Sequence, residues 1–95
     1  MYIDSFGNIV TNISEDLLKR VGASDGSELA MKIGDRHLRL RLRSAYGEVE
    51  PGSLLAIIDS WGMLEIAVNL GSAAEELGVG PGEPVEVWLA KEDGP

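Results

Sequence analysis

Arg36-His37-Leu38-Arg39-Leu40-Arg41-Leu42-Arg43 is the stretch whose reading decides the fold. Leu38, Leu40 and Leu42 alternate with Arg39, Arg41 and Arg43, and a period of two marks a strand with one face in a core and the other in water. His37 lies on the arginine-bearing face, where a solvated imidazole is expected. Just upstream, Glu28-Leu29-Ala30-Met31-Lys32-Ile33 reads as a second strand. Gly34-Asp35 between them is a two-residue link suited to a hairpin with positive φ.

Working outward, further strands are expected at residues 1–4, 53–58, 63–68 and 84–90, with a short one near 9–11, separated by Pro51-Gly52, Gly62, Gly71 and Gly80-Pro81-Gly82. Two short helices have readable ends. Ser14 precedes Glu15-Asp16 and then Leu17-Leu18-Lys19-Arg20, with Gly22 beyond, which gives an N-cap, an acidic first turn, a basic last turn and a terminal glycine. Ser72-Ala73-Ala74-Glu75 has capping-box spacing and is stopped by Gly78. About seven short strands with two short helices predict a mainly β fold, a small closed or nearly closed β-barrel, because closure removes unpaired edges. Residues 1–90 read as one domain and 91–95 as a frayed tail; no internal repeat or low-complexity segment is visible.

A chain of 95 residues buries roughly two-thirds of its unfolded surface. That makes one core with little room for an enclosed site, so a ligand is expected in a surface groove or between chains. The absence of cysteine removes disulfides, thiol nucleophiles and thiolate metal sites, and is compatible with the cytoplasm, the expected location. The longest aliphatic run, Leu54-Leu55-Ala56-Ile57-Ile58, is far short of the roughly 20 residues that span a bilayer. No signal peptide is read at the N-terminus and no membrane partner is expected. The net charge of -8 opposes nucleic-acid binding. Four of the eight basic residues fall between Arg36 and Arg43, yet no aromatic residue interleaves them. That cationic strand is read as solvated or as meeting an acidic neighbouring chain.

Catalytic templates are missing. With one histidine, no His pair, no Walker loop and no G-x-G-x-x-G, neither a catalytic group nor a metal site nor a cofactor is expected. Two stretches carry more chemistry than a turn needs. In Asp4-Ser5-Phe6-Gly7-Asn8, Gly7 supplies positive φ, and either Phe6 plugs the barrel end or it projects as a flat platform beside the Asn8 carboxamide. A ring face next to a donor and acceptor in one plane is what adenine asks for. In Ile58-Asp59-Ser60-Trp61-Gly62-Met63-Leu64-Glu65, a tight connection exposes a hydroxyl, an indole and backbone N–H groups. Glu65 then falls in an apolar run, where a carboxylate is either paired or turned outward.

Ile3-Asp4, Phe6-Gly7-Asn8, Thr11-Asn12-Ile13, Tyr46-Gly47-Glu48-Val49, Pro51-Gly52, Ser60-x-Gly62-x-Leu64-Glu65-Ile66-Ala67, Asn69-x-Gly71-x-Ala73-Ala74 and Leu77-Gly78 follow one another in this order. Together, from about residue 2 to residue 88, they resemble the C-terminal domain of the S-adenosylmethionine hydroxide adenosyltransferases. These are adenosine-forming hydrolases related to the fluorinating and chlorinating enzymes that use the same substrate.

The resemblance implies a β-barrel that follows an N-terminal α/β catalytic domain, joined in cis or trans, with S-adenosylmethionine as substrate held between subunits of a homotrimer. It implies that Asn8 addresses the adenine edge and that Phe6 and Tyr46 line or stack on the base. Asp4 would meet the methionine ammonium, Ser60, beside Trp61, its carboxylate, and the backbone around Leu70 the adenine amino group. Without the N-terminal domain the chain is expected to be inactive. Trp61 and Val68 stand where halogenating relatives carry other side chains, which favours hydroxide over halide as nucleophile. The competing expectations are a stand-alone nucleoside or S-adenosylmethionine sensor and a purely structural trimerisation module.

Overall fold

The computed structural model describes residues 1–90, so the expected frayed tail lies outside the described residues. In chain order the strands are β1 (Tyr2–Ile3), β2 (Ile9–Ser14), β3 (Glu28–Ile33), β4 (Arg36–Arg43), β5 (Leu54–Ile58), β6 (Met63–Val68) and β7 (Val85–Leu89). Two helices, α1 (Glu15–Arg20) and α2 (Ala73–Leu77), and a 3-10 turn at Tyr46–Glu48 complete the chain. The strands order β1-β2-β6-β5-β4-β3-β7 in one curled sheet, a half-barrel with β1 and β7 at its edges. The Gly82 N–H donates to the Met1 carbonyl at 3.3 Å, which draws the segment before β7 toward the β1 end without a ladder between those edges.

The hairpin forms as its alternation demands. β3 and β4 pair from Glu28↔Arg41 to Ile33↔Arg36, turning at Gly34 with φ +56°. Leu29, Met31, Ile33 and Leu42 are buried, while His37, Arg39 and Arg41 face solvent. Arg36 does not share their face: it has the parity of the leucines and stays exposed because it closes the hairpin at the end of the strand. Arg39 reaches Glu28 at 3.3 Å with both side chains substantially exposed, a pair worth less than about 1 kcal/mol.

β4 ends by pairing with β5 in parallel, Leu42↔Ala56 and Arg43↔Ile57. A parallel pair requires a crossover, here residues 44–53, which lie against the outer face of β5 and β6. Val49 packs there on Leu55, Ile57 and Ala67, while Ala56, Leu64 and Ile66 join the main core. Burial on both faces is why these two strands read as continuous apolar runs rather than alternating ones. The helix ends match their sequence signals: Ser14 accepts from Leu17 N–H and Ser72 from Glu75 N–H, each at 3.2 Å, and Gly78 ends α2 at φ +66°.

Two hairpins share a local likeness. Asp4-Ser5-Phe6-Gly7-Asn8 and Asp59-Ser60-Trp61-Gly62-Met63 fold into the same turn. In each, one aspartate oxygen accepts from the second and fourth following N–H groups at 2.9 to 3.0 Å. The aspartate N–H and carbonyl bond the fifth and fourth residues of the turn, and the glycine sits at φ +84° or +81°. The flanking pairs Ile3↔Ile9 and Ile58↔Leu64 correspond, and β2 and β6 meet antiparallel at Ile9↔Ile66 and Val10↔Glu65. A local pseudo-twofold therefore relates the hairpins β1–β2 and β5–β6 until a bulge shifts the register before Ser14↔Met63. What the two sequences share is the five-residue core Ile-Asp-Ser-aromatic-Gly.

Candidate functional site

The pseudo-twofold places the two turns at opposite ends of the β2–β6 pair, roughly 13 Å apart along β6 at about 3.3 Å per residue. Between them runs a groove of about 460 Å³, with Phe6, Asn8 and Asp4 on one side and Ser60, Trp61 and Asp59 on the other. Its floor is Val10, Ile57 and Glu65, and Tyr46 leans in from the crossover. A second hollow of about 500 Å³ continues past Phe6, Asn8 and Tyr46 to Asn69, Leu70 and Gly71. Both volumes lie in the range of small-molecule sites. Two other hollows, beside α1 and along β3–β4, are smaller at about 270 and 330 Å³ and have no aromatic lining.

All seven residues singled out in the sequence, Asp4, Phe6, Asn8, Tyr46, Ser60, Trp61 and Leu70, thus border one continuous depression. Phe6 does not plug the barrel: it is 79% exposed, Trp61 84% and Leu70 86%. Exposed large apolar side chains gathered in one place mark a binding surface. Leu70 is also the one non-glycine residue with positive φ, +58°, among the described residues, and such strain concentrates at functional sites.

The first turn is rigid for stated reasons. Asp4 Oδ1 takes the Phe6 and Asn8 N–H groups, and Asp4 Oδ2 takes the Asn8 carboxamide N–H at 3.3 Å. The Gly7 carbonyl accepts from Ala74 N–H at 3.0 Å, and a Cβ on Gly7 would collide with the Ser72 side chain, so the turn is seated on the start of α2. Asp4 is thereby largely committed to holding the turn. Asn8 keeps its carbonyl oxygen and one N–H free for a partner.

Glu65 is paired and buried, not turned outward to solvent. It is 5% exposed, flanked in register by Val10 and Ile57, and accepts a 3.1 Å hydrogen bond from the Tyr46 hydroxyl. Burial chiefly pushes its carboxyl above the ordinary value; the Tyr46 bond opposes this, and the negative charges of Asp4 and Asp59 add to it. The Tyr46 phenol is raised as well, first by burial and then by Glu65. A carboxyl raised in the folded state contributes stability that is complete below its unfolded value and is lost as pH rises through its folded value. Glu65→Gln should therefore show a smaller fall in melting temperature than the parent as pH rises above the ordinary glutamate value of 4.5, measured by parallel thermal melts.

Asp59, Tyr2, Val10 and Ile57 also line the groove and are absent from the sequence-based set. The duplicated Asp-Ser-aromatic-Gly turn was the signal for Asp59. The others follow only from strand register.

Comparison with known proteins places this geometry in context. Residues 1–86 match the family described as the SAM hydroxide adenosyltransferase C-terminal domain. The chain is 39% identical over 84 residues to an (R)-S-adenosyl-L-methionine hydrolase of Thermus thermophilus, covering 88% of this chain and 29% of that protein. It is 36% identical over 85 residues to one from Salinispora tropica, covering 90% and 30%. Among solved structures, an uncharacterized conserved protein from Thermotoga maritima superposes with a TM-score of 0.82 at 38% identity, over 90% of this chain and 33% of that one. A conserved hypothetical protein from Thermus thermophilus gives 0.67 at 38% identity, over 90% and 32%. The chain spans about a third of the length of the relatives it matches.

Proposed function

Because this chain belongs to the SAM hydroxide adenosyltransferase C-terminal domain family, we propose that its groove is the substrate-gripping part of a hydrolase site that converts S-adenosylmethionine and water to adenosine and methionine. The observation that carries this reading is the convergence of Phe6, Asn8, Tyr46, Ser60, Trp61 and Leu70 on one depression with an aromatic ring at each end. In this assignment adenine lies at the Phe6–Asn8 end, stacked on Phe6 and Tyr46, with its edge read by the Asn8 carboxamide and its amino group by the strained backbone at Leu70. The amino-acid end lies at Ser60 and Trp61, where the Ser60 hydroxyl and the N–H groups of the turn suit a carboxylate. The Asp4 carboxylate, on the Phe6 side of the groove and engaged in its own turn, adds only longer-range attraction for the ammonium.

Stacking one base on an aromatic ring is worth about 1–3 kcal/mol, and a matched amide edge adds a similar discrimination. These gains offset a loss of several kcal/mol in ligand freedom. In this reading the attacking group belongs to an N-terminal α/β domain, in cis or trans. In the complete assembly, a trimer in our reading, the domain holds both ends of the substrate so that attack on C5′ proceeds in line. The relatives' names make the (R) sulfonium epimer the first substrate to test. Adding an N-terminal domain from such a hydrolase to this chain should restore release of adenosine, followed by chromatography. A folded, assembled complex that releases none would count against the assignment.

A further inference from the structure

We propose that Glu65 is a positioning residue: through its bond to the Tyr46 hydroxyl it fixes the Tyr46 ring across the groove and so sets the slot that a planar ligand group enters. This deepens the proposed function and rests on the groove being the ligand site.

Among the described residues, Glu65 is the one buried charged side chain. Its strand neighbours in register, Val10 and Ile57, are apolar. A buried carboxyl is costly unless it is hydrogen-bonded, so the partner it finds is the feature that needs an account. What the carboxyl provides is a hydrogen-bond partner for Tyr46, 3.1 Å away. That ring borders both halves of the depression, so its orientation governs each.

The backbone carrying Tyr46 is secured without Glu65. Glu48 Oε2 accepts the Ser44 and Ala45 N–H groups at 2.7 Å each, and the Asn69 carboxamide donates to the Val49 carbonyl at 2.8 Å. Tyr46 is 43% exposed, and the hydrogen bond its side chain makes is the one to Glu65. Removing the Glu65 bond should therefore leave the 3-10 turn in place and free the side chain alone. A ring ordered in advance spares the ligand the entropy of ordering it, so its release should weaken binding roughly three- to tenfold.

The experiment compares the full chain with its Glu65→Leu, Glu65→Gln and Tyr46→Phe variants in three measurements. These are the order of the Tyr46 ring by NMR relaxation of a labelled tyrosine, affinity for adenosine and S-adenosylmethionine by calorimetry, and thermal melting. Glu65→Leu should melt at or above the parent temperature, with a mobile Tyr46 ring, a phenol that titrates at lower pH and three- to tenfold weaker binding. Glu65→Gln, which keeps an acceptor, should restore ring order and affinity. Tyr46→Phe should match Glu65→Leu in affinity but melt lower, because it leaves the buried Glu65 carboxyl without its donor, and combining the two should weaken binding no more than either alone.

A Tyr46 ring equally ordered in Glu65→Leu would overturn the proposal, as would parental affinity in that variant. So would affinity lost only in step with a lowered melting temperature. If the parent binds neither probe, the groove assignment fails, and ring order still decides by itself whether Glu65 positions Tyr46.

Discussion

Phe6→Ala combined with Asn8→Ala should weaken adenosine binding about a hundredfold or more, with each single variant costing about tenfold. The Phe6 ring is 79% exposed, so truncating it removes a platform and opens no cavity. Asn8 contributes one 3.3 Å side-chain bond to Asp4, and its loss should lower stability by about 1 kcal/mol or less. Affinity and stability therefore separate. Calorimetry on the chain assembled with the N-terminal domain of a hydrolase relative, beside thermal melts, measures both. Unchanged affinity with a clearly lowered melting temperature would show that the turn serves only the fold.

The duplicated turn supplies the second large effect. Gly7 and Gly62 hold nearly the same backbone angle, φ +84° and +81°, so alanine at either pays a left-handed strain of roughly 1–2 kcal/mol. At Gly62 nothing lies within 4 Å of the added methyl, whereas at Gly7 it meets the Ser72 side chain and approaches the Ser72 Cα. Overpacking of that kind typically adds 1–3 kcal/mol. Gly7→Ala should thus lose about 2–5 kcal/mol in denaturant unfolding and Gly62→Ala about 1–2 kcal/mol. Gly7→Ala should also disturb the Phe6–Asn8 end of the groove, because the turn must lift off α2 to fit the methyl. Equal losses at the two glycines would contradict the docking of this turn on the Ser72 cap.

Much of this architecture is legible in the sequence because it is local. The Leu38-Leu40-Leu42 alternation, the Gly34-Asp35 link and the Ser14 and Ser72 caps each depend on a few neighbouring residues, and each is found where expected. The curl of the sheet is harder to read. The two halves of the sheet are joined by the parallel β4–β5 pairing, a contact across a crossover that leaves no periodic mark. The shared turn leaves only a short match in the sequence, because Asn8 and Met63 and the strands beyond them differ as letters while the turn backbones are alike.

At the site, the chemistry-bearing residues announce themselves by type, but their joint placement is a matter of register and of one long-range bond. Ile57 enters the groove only because β5 lies beside β6, and Val10 only because β2 does. The role of Glu65 is invisible until the crossover brings the Tyr46 hydroxyl over it. Leu70 gives no local warning of its positive φ, since leucine has no preference for that region.

The central claim is that one groove holds a nucleoside at its Phe6–Asn8 end and an amino acid at its Ser60–Trp61 end. Backbone amide shifts of the chain titrated separately with adenosine, methionine and S-adenosylmethionine test it most directly. Adenosine should move Phe6, Asn8, Tyr46 and Leu70, methionine should move Ser60 and Trp61, and S-adenosylmethionine should move both sets. Shifts confined to the outer face of β3 and β4, or none at millimolar ligand, would contradict it.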